Sequence, residues 1–351
     1  MRIVPGLLLA LGLALAGRYL STVVGSDLLG LAKSPMSPIM MAIVLGITVR
    51  NALPLSATFQ PGIHCALKRV LRLGIVLLGF RMSLGQLGDV GIKSLPVIGA
   101  TVGSALLIVT WLSRRLGLSR GLGTLLTVGT SICGITAIVA TAPTIGARDH
   151  EVSYAVACVT LFGVVAMLLY PFAAHALFNG DAFAIGLFLG TAVHDTAQVA
   201  GAGLVYEQYY GNAQALDVAT VTKLLRNLTM LLIIPLVAVL HHRQAAGSGA
   251  APRWYTLVPL FVVGFAAMSV LRTIGDAGEL AFGVLSPERW ATLIALVQGA
   301  AELCLAVAMA AVGLSTCVRN LLSIGVKPLA MGFVAALLVG TVSVSVVAIL
   351  Y

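Results

Sequence analysis

Apolar segments of roughly 20 residues follow one another almost without interruption from Ile3 to the end of this 351-residue chain. A helix of about this length crosses the hydrocarbon core of a membrane, because it satisfies its backbone N–H and C=O groups internally. Hydrophobic residues make up 59% of the chain and charged residues 9%, at a mean hydropathy of +1.05. The sequence therefore predicts an all-α polytopic membrane protein, a single integral membrane domain over residues 1–351.

The apolar periodicity predicts about 11 transmembrane helices. They cover residues 3–21, 36–50, 69–84, 93–113, 121–146, 151–177, 181–206, 216–240, 256–273, 290–314 and 326–351. The first segment has a basic start and an Ala-Leu-Ala triplet ending at Ala16, so it also resembles a cleaved signal peptide. So many later spans favour a retained first helix.

Basic residues cluster in alternate loops, which indicates membrane topology. One set of loops contains Arg50, Lys68, Arg69, Arg72, Arg114, Arg115, Arg120, Arg243, Arg253, Arg319 and Lys327. The positive-inside rule places these loops in the cytoplasm, and predicts a cytoplasmic N-terminus and a C-terminus on the opposite side, which for a bacterial inner membrane is the periplasm. The net charge of +9 is thus read as a topology signal, and we expect no nucleic-acid partner.

The cysteines are odd in number, scattered and without metal-ligand spacing. They are Cys65, Cys133, Cys158, Cys304 and Cys317. We expect small buried residues rather than a disulfide framework, and predict no metal site and no cofactor.

An internal repeat is visible in the apolar sequence. Residues 78–99 (LGFRMSLGQLGDVGIKSLPVIG) align without a gap with residues 312–333 (VGLSTCVRNLLSIGVKPLAMGF), sharing the pattern G-x-K-x-L and a preceding glycine and leucine. In the predicted topology the two repeat-related segments, 69–113 and 303–347, run in opposite directions. An inverted repeat is typical of secondary transporters. A chance match between apolar segments is the alternative.

Two segments are interrupted at their middle by glycine and polar residues, GTSICG from Gly129 and GTAVHD from Gly190. Glycine weakens a helix, and a break at membrane depth requires surrounding protein or a water-filled cavity. We therefore predict two discontinuous helices in a core domain, whose freed N-termini present N–H donors to an anion. Intact helices that use small residues for close packing are the alternative.

Charged residues inside the apolar segments indicate function. An ionised Asp195 at mid-bilayer costs on the order of 3 kcal/mol or more unless it is paired or hydrated. Lys223 and Arg226 are expected to neutralise an anion or pair with Asp195, although snorkelling to headgroups is an alternative. Glu302 either takes part in ion coupling or helix pairing, or lies near the end of its membrane segment. Arg81 is expected to be an interfacial anchor. The predicted substrate- or ion-binding residues are Thr130, Ser131, Ile132, Cys133, Gly134, Thr191, His194, Asp195, Gln198, Lys223, Arg226 and Asn227.

Five stretches together resemble the YeiH-type family of bacterial sulfate exporters, long classed as conserved hypothetical membrane proteins. They are LRLGIVLLGFRMSL (71–84), GTSICGITAIVATAP (129–143), LFGVVAMLLYP (161–171), GTAVHDTAQVAGAG (190–203) and TKLLRN (222–227). The resemblance implies an inner-membrane secondary transporter, distantly similar to sodium/proton antiporters and bile-acid-type transporters, with broken helices crossing in a mobile core domain.

The family's SICG motif falls on residues 131–134, its HD-x-AQ motif on residues 194–198, and its cationic motif on Lys223, Arg226 and Asn227. The resemblance also implies anion export. The predicted segments five and seven are separated by one span and would run in the same direction. Either one of them is re-entrant or the segment count differs there.

We therefore expect a secondary transporter of a small anion such as sulfate, sulfite or a sulfonate, coupled to protons or sodium through His194 or Asp195. A homodimer is one assembly that the sequence allows. A cation/proton antiporter centred on Asp195 is the first alternative. An intramembrane enzyme that uses Cys133 or Ser131 with His194 lacks a recognisable nucleophile turn, so no enzyme is predicted. A channel would not need an inverted repeat.

Overall fold

The computed structural model describes residues 3–23, 37–242, 260–278, 280–317 and 326–351. These ranges are helical apart from short connections and one isolated bridge between Ala281 and Leu285. The helices are α1 (Val4–Thr22), α2 (Pro38–Ala52), α3 (Gln60–Cys65), α4 (Leu71–Leu78), α5 (Leu84–Arg115), α6 (Arg120–Ser131), α7 (Ile135–Thr141), α8 (Asp149–Leu177), α9 (Ala182–Ala192), α10 (Thr196–Tyr210), α11 (Gln214–Leu228), α12 (Met230–His242), α13 (Leu260–Gly275), α14 (Pro287–Ser315) and α15 (Val326–Leu350). The prediction of an all-α fold is confirmed.

Every predicted membrane segment coincides with helix in the described ranges. Six stretches there are long and apolar enough to cross a membrane, namely α1, α5, α8, Gln214–Val237, α14 and α15. Other apolar helices, such as α2 and α9, are shorter. The chain is a polytopic membrane protein, and the count of eleven spans stays a prediction. So does the inverted repeat, because residues 318–325 of its second copy lie outside the described residues, as do Arg243, Arg253 and Arg319.

Local sequence explains where several helices begin. The side chain of Ser37 accepts a hydrogen bond from the amide of Met40 at the start of α2, and Pro38 follows it. Ser119 caps α6 in the same way, and Asp181 caps α9. A short polar side chain at this position satisfies one of the first N–H groups of a helix, and proline at the first helical position lacks the N–H that would need a partner.

The chain divides into two compact units. The first unit comprises Met1–Val90, Gly203–Asp217 and Leu260–Cys317. In it α14 packs against α1, α2 and α4, and small residues bring these helices together. A Cβ placed on Gly46 would lie 2.9 Å from the Cα of Gly313, so α2 and α14 cross in near backbone contact. This is the packing that membrane helices commonly use, since lipid supplies no hydrophobic driving force between them.

A buried ion-pair cluster lies in the first unit. The guanidinium of Arg81 donates to both carboxylate oxygens of Glu207, at 2.7 and 3.2 Å, and to Asp217 at 3.0 Å. Only 6% of the Arg81 side chain is exposed. Arg81 is therefore a buried partner of two carboxylates, not the interfacial anchor that its position in the sequence suggests. Glu302 on α14 is close enough to interact electrostatically with Arg81 and Glu207.

The second unit comprises Gly91–Ala202, Val218–Pro259 and Val318–Tyr351. Here α8 packs against α6, α7 and α9, and α15 packs against α8 and α9. Leu125, Val159 and Met331 are buried in its apolar core. All the helix ends at which the candidate site is built lie within this unit.

The Arg81 cluster gives a prediction about stability. Arg81→Met removes the cation that two largely buried carboxylates share, and breaking a buried charge pair from one side costs about 3 kcal/mol or more. We expect a clearly lower midpoint of thermal unfolding for the variant purified in detergent. Arg114→Met, at an exposed position on α5, is the matched control and should leave the midpoint nearly unchanged. Equal midpoints for the two variants would contradict a stabilising role for the cluster.

Candidate functional site

Two helices of the second unit are broken at their middle. The first ends as α6 at Ser131 and resumes as α7 at Ile135, and the second ends as α9 at Ala192 and resumes as α10 at Thr196. Gly134 has a φ of 68°, a conformation that disfavours any side chain. The prediction of two discontinuous helices is confirmed.

The two breaks lie against each other. A Cβ on Gly134 would lie 3.1 Å from a carboxylate oxygen of Asp195. All twelve residues predicted for the site belong to this unit. Thr130, Ser131 and Thr191 end the first half-helices, residues 132–134 and 194–195 form the breaks, Gln198 lies in the first turn of α10, and Lys223, Arg226 and Asn227 lie on α11.

Lys223 joins the two breaks. Its ammonium group donates to three main-chain carbonyls, those of Ile132 at 3.1 Å, Val193 at 3.0 Å and His194. The first belongs to one break and the other two to the second. Since an ammonium group has three N–H donors, all of those of Lys223 are used.

Arg226, one helical turn further along α11, also reaches both helices. Its Nε donates to the carbonyl of Ser131 at 2.8 Å and one Nη to that of Thr130 at 2.6 Å. The other Nη donates to the carbonyl of Thr191. Both Arg226 and Lys223 are fully buried, so neither snorkels to a headgroup.

These contacts have a simple physical cause. The last carbonyls of a helix have no partner within it and carry a partial negative charge. At the ends of α6 and α9, in apolar segments, the protein itself must supply donors to them. Lys223 and Arg226 therefore compensate the C-terminal ends of two half-helices.

Asp195 has the complementary role at the N-terminal ends. Its carboxylate accepts a hydrogen bond from the amide of Ala197 in α10 at 2.9 Å and lies near the amide of Ile135, the first residue of α7. The half-helix N-termini were expected to offer their N–H groups to a substrate anion. The structure places the protein's own carboxylate there instead, with Lys223 near enough to interact electrostatically with it.

Gln198 holds the second break in position. Its side-chain oxygen accepts from the amide of Asp195 at 3.1 Å, and its side-chain nitrogen donates to the carbonyl of Thr160 on α8 at 3.2 Å. The side chain lies directly over Gly163, where a Cβ would fall within 2.5 Å of its amide carbon. Gly163 is thus what leaves room for Gln198.

The hydroxyl groups of the predicted site turn back to their own helices. Thr130 donates to the carbonyl of Leu126 and Ser131 to that of Thr127. Thr191 bonds the carbonyl of Leu187 and, at 2.6 Å, the hydroxyl of Ser343. These residues hold the ends of α6 and α9, which present their carbonyls to Arg226.

The remaining predicted residues differ in their surroundings. Cys133 is buried, with its thiol 3.3 Å from the sulfur of Met230. Asn227 donates to the hydroxyl of Thr196 at 3.1 Å, and Thr196 and Asp195 are partly exposed. His194 is 1% exposed, and among the described residues neither of its ring nitrogens has a hydrogen-bond partner.

Sequence reasoning missed three contributors to this site. Gly163 and Thr160 support Gln198 from α8, and Ser343 supports Thr191 from α15. A glycine in an apolar helix was a visible signal for close approach, but nothing in the sequence showed what approaches it. The carbonyl of Thr160 carries no sequence signal, because every residue has one.

The Lys223 contacts predict a large effect on stability. Lys223→Met leaves three carbonyls at the breaks without a donor, and each buried unpaired group costs about 1–3 kcal/mol. We expect a total of about 3 kcal/mol or more, seen as a lower midpoint of thermal unfolding in detergent. Lys68→Met makes the same chemical change at an exposed position and should have little effect. An unchanged midpoint for Lys223→Met would show that its carbonyl contacts contribute nothing.

The contact between Gly163 and Gln198 gives a second prediction. Gly163→Ala places a methyl group where the Gln198 amide lies, so the support of Asp195 should be lost, at a cost of about 1–3 kcal/mol. Gly103→Ala on α5 adds the same methyl group in open space and should leave stability unchanged or raise it by up to about 1 kcal/mol. Thermal unfolding of the two variants measures the difference. If both variants behave alike, the close approach is not what requires glycine at position 163.

Comparisons with known proteins place the whole chain in one family. A family model described as conserved hypothetical protein 698 matches residues 5–332. A UPF0324 membrane protein of Fusobacterium nucleatum is 32% identical, covering 91% of this chain and 92% of the relative. A UPF0324 membrane protein of Streptococcus agalactiae is also 32% identical, covering 99% of this chain and 97% of the relative. The UPF0324 inner membrane protein YeiH of Escherichia coli K12 is 32% identical, with shares of 96% and 92%. The chain therefore belongs to the conserved hypothetical protein 698 family of YeiH-type membrane proteins, as its motifs predict.

Proposed function

We propose that this protein is a secondary transporter that carries a small anion across the bacterial inner membrane by alternating access. The substrate site is the place in the second unit where the breaks at residues 132–134 and 193–195 lie against each other, which we call the crossing. One observation carries the proposal: two fully buried cations, Lys223 and Arg226, bond the carbonyls of both broken helices here, and the carboxylate of Asp195 lies near Lys223.

The charges at the crossing favour an anionic substrate. The partial charges at the four half-helix ends cancel one another, because they are negative at the ends of α6 and α9 and positive at the starts of α7 and α10. Two side-chain cations against one carboxylate then leave one positive charge. Lys223 and Arg226 lie inside the apolar stretch Gln214–Val237, where an uncompensated charge costs on the order of 3 kcal/mol. A bound monovalent anion removes that cost.

The broken helices favour a carrier. Secondary transporters build their sites near the bilayer midplane from discontinuous helices, whose ends supply charge without requiring a permanently open pore. Crossing helix breaks satisfied by buried cations and a carboxylate fit this pattern. The E. coli relative is named an inner membrane protein, which supports the same location here.

A cation/proton antiporter centred on Asp195 is the second candidate. The partial exposure of residue Asp195 favours it, because a cation could approach this residue. However, a bound cation would add to the positive charge that the crossing already carries. It would require Lys223 to give up its proton and therefore one of its three carbonyl contacts.

Replacement of Asp195 separates the two candidates. In Asp195→Asn the amide oxygen still accepts from Ala197, but one negative charge is lost. A charge at about 8 Å with an effective dielectric constant of about 20 is worth about 2 kcal/mol, so we expect a transported anion to bind roughly 30-fold more tightly. The measurement is the thermal stabilisation of purified protein by sulfate, sulfite, methanesulfonate, bicarbonate and acetate, with sodium as the comparison.

The control is Asp149→Asn, at an exposed position in the first turn of α8, which should bind as the unmodified protein does. Stabilisation by sodium alone, abolished in Asp195→Asn, would establish the antiporter instead. Counterflow in proteoliposomes then tests the carrier mechanism: unlabelled substrate on the opposite side accelerates labelled uptake by a carrier, and does not by a channel.

A further inference from the structure

The side chains that supply the positive charge at the crossing are largely engaged with the main chain. All three N–H groups of Lys223 donate to carbonyls, and three of the five N–H groups of Arg226 do so as well. Lys223 can bond an anion directly only by releasing a carbonyl. The two cations attract an anion by their charge, and a buried group without a partner of its own is better placed to hold it.

His194 is buried at the crossing with no partner for either nitrogen of its ring among the described residues. Its own carbonyl and that of the preceding Val193 accept from Lys223, which fixes the main chain at the crossing. Its ring is buried and lies within electrostatic range of both Lys223 and Arg226. Within the described part of the chain, neither the Nδ1 nor the Nε2 atom of this ring has a hydrogen-bond partner.

A buried ring without partners calls for an explanation, because buried polar groups are bonded in the great majority of cases and each unpaired one costs about 1–3 kcal/mol. An imidazole carries at least one N–H in either of its protonation states. The missing partner of His194 must therefore include a hydrogen-bond acceptor. The net positive charge of the crossing selects an acceptor that is negatively charged.

We propose that His194 is a substrate-binding residue that donates a hydrogen bond to an oxygen atom of the transported anion, whose chemical class is thus a small oxyanion. This inference rests on the proposed function and assigns a role within it. The adjacent residues 194 and 195 then have different roles. His194 contacts the substrate, and Asp195 caps the half-helices and sets the net charge of the crossing. Lys223, whose three donors are all engaged, acts on the anion through its charge.

The test compares three His194 variants in the full-length protein. His194→Leu and His194→Ala remove the donor, and His194→Gln keeps one. A hydrogen bond to a charged partner is worth about 1.5–3 kcal/mol, so we expect the two apolar variants to bind the oxyanion about 10- to 100-fold more weakly. His194→Gln should lose less affinity for the oxyanion, because its side chain still offers a donor. His64→Leu, an exposed histidine on α3, is the matched control and should bind normally.

Affinity is measured by thermal stabilisation with sulfite, sulfate, methanesulfonate and acetate, together with the unfolding midpoint without anion. Since the ring has no internal partner, His194→Leu, which keeps most of the buried volume, should be at least as stable as the unmodified protein when no anion is present. His194→Ala also leaves a cavity, so it is compared for affinity only. A lower midpoint of His194→Leu with unchanged affinity would overturn the inference, because it would assign the ring a structural partner such as a buried water. Failure of both apolar variants to fold would also overturn the inference, because it would show that the ring is needed for the structure.

The two proposals fail in distinguishable ways. If no oxyanion stabilises the unmodified protein, the proposed function is wrong and His194 has no substrate to bind. If an oxyanion stabilises the unmodified protein and His194→Leu equally, the transporter proposal stands and only the role of His194 is overturned.

Discussion

The structure of the second unit depends on how backbone carbonyls are satisfied at two helix breaks. In water such carbonyls bond solvent, but within an apolar segment the protein must provide every donor. Lys223 and Arg226 provide them, with six hydrogen bonds to the ends of α6 and α9 and to the breaks that follow. A cation without a partner raises the free energy of the protein at membrane depth, and so does a helix end with unpaired carbonyls. The contacts between the two cations and the two helix ends remove both costs.

The two cations are suited to different parts of this task. A guanidinium is planar, so Arg226 can bond two carbonyls of α6 and one of α9 in one fixed geometry. An ammonium group is compact and its three donors point in three directions, which fits the carbonyls of Ile132, Val193 and His194 around Lys223. The spacing of three residues on α11 places both groups on one face of the helix.

Much of this arrangement could be predicted from the sequence, and the limits have physical reasons. Glycine and polar residues inside apolar segments revealed both helix breaks, and the expense of charge at membrane depth singled out Asp195, Lys223 and Arg226. The partners of these residues could not be predicted, because they are mostly main-chain carbonyls and amides that every sequence contains. For the same reason the N-termini of α7 and α10 were expected to meet a substrate, whereas Asp195 occupies them.

The first unit shows the same limit with side chains alone. Arg81 is far in sequence from Glu207 and Asp217, and each of the three lies near the predicted end of an apolar segment, so each could be read as an interfacial residue. Their mutual contact is a consequence of how the short turn after α4 meets the parts of α10 and α11 that belong to the first unit. Helical periodicity predicts which face of a helix is apolar, but it does not predict which charged residue of another helix will meet it.

The bonding of the cations also restricts how a substrate could be moved. Lys223 and Arg226 each bond both broken helices, so drawing the two breaks apart would leave several carbonyls without donors at membrane depth. Each lost partner costs about 1–3 kcal/mol, and the losses would occur together. The structure therefore opposes opening between the two broken helices. The proposed transport cycle would accordingly carry the crossing as one body, with Lys223, Arg226, Asp195 and His194 keeping their places around the proposed substrate.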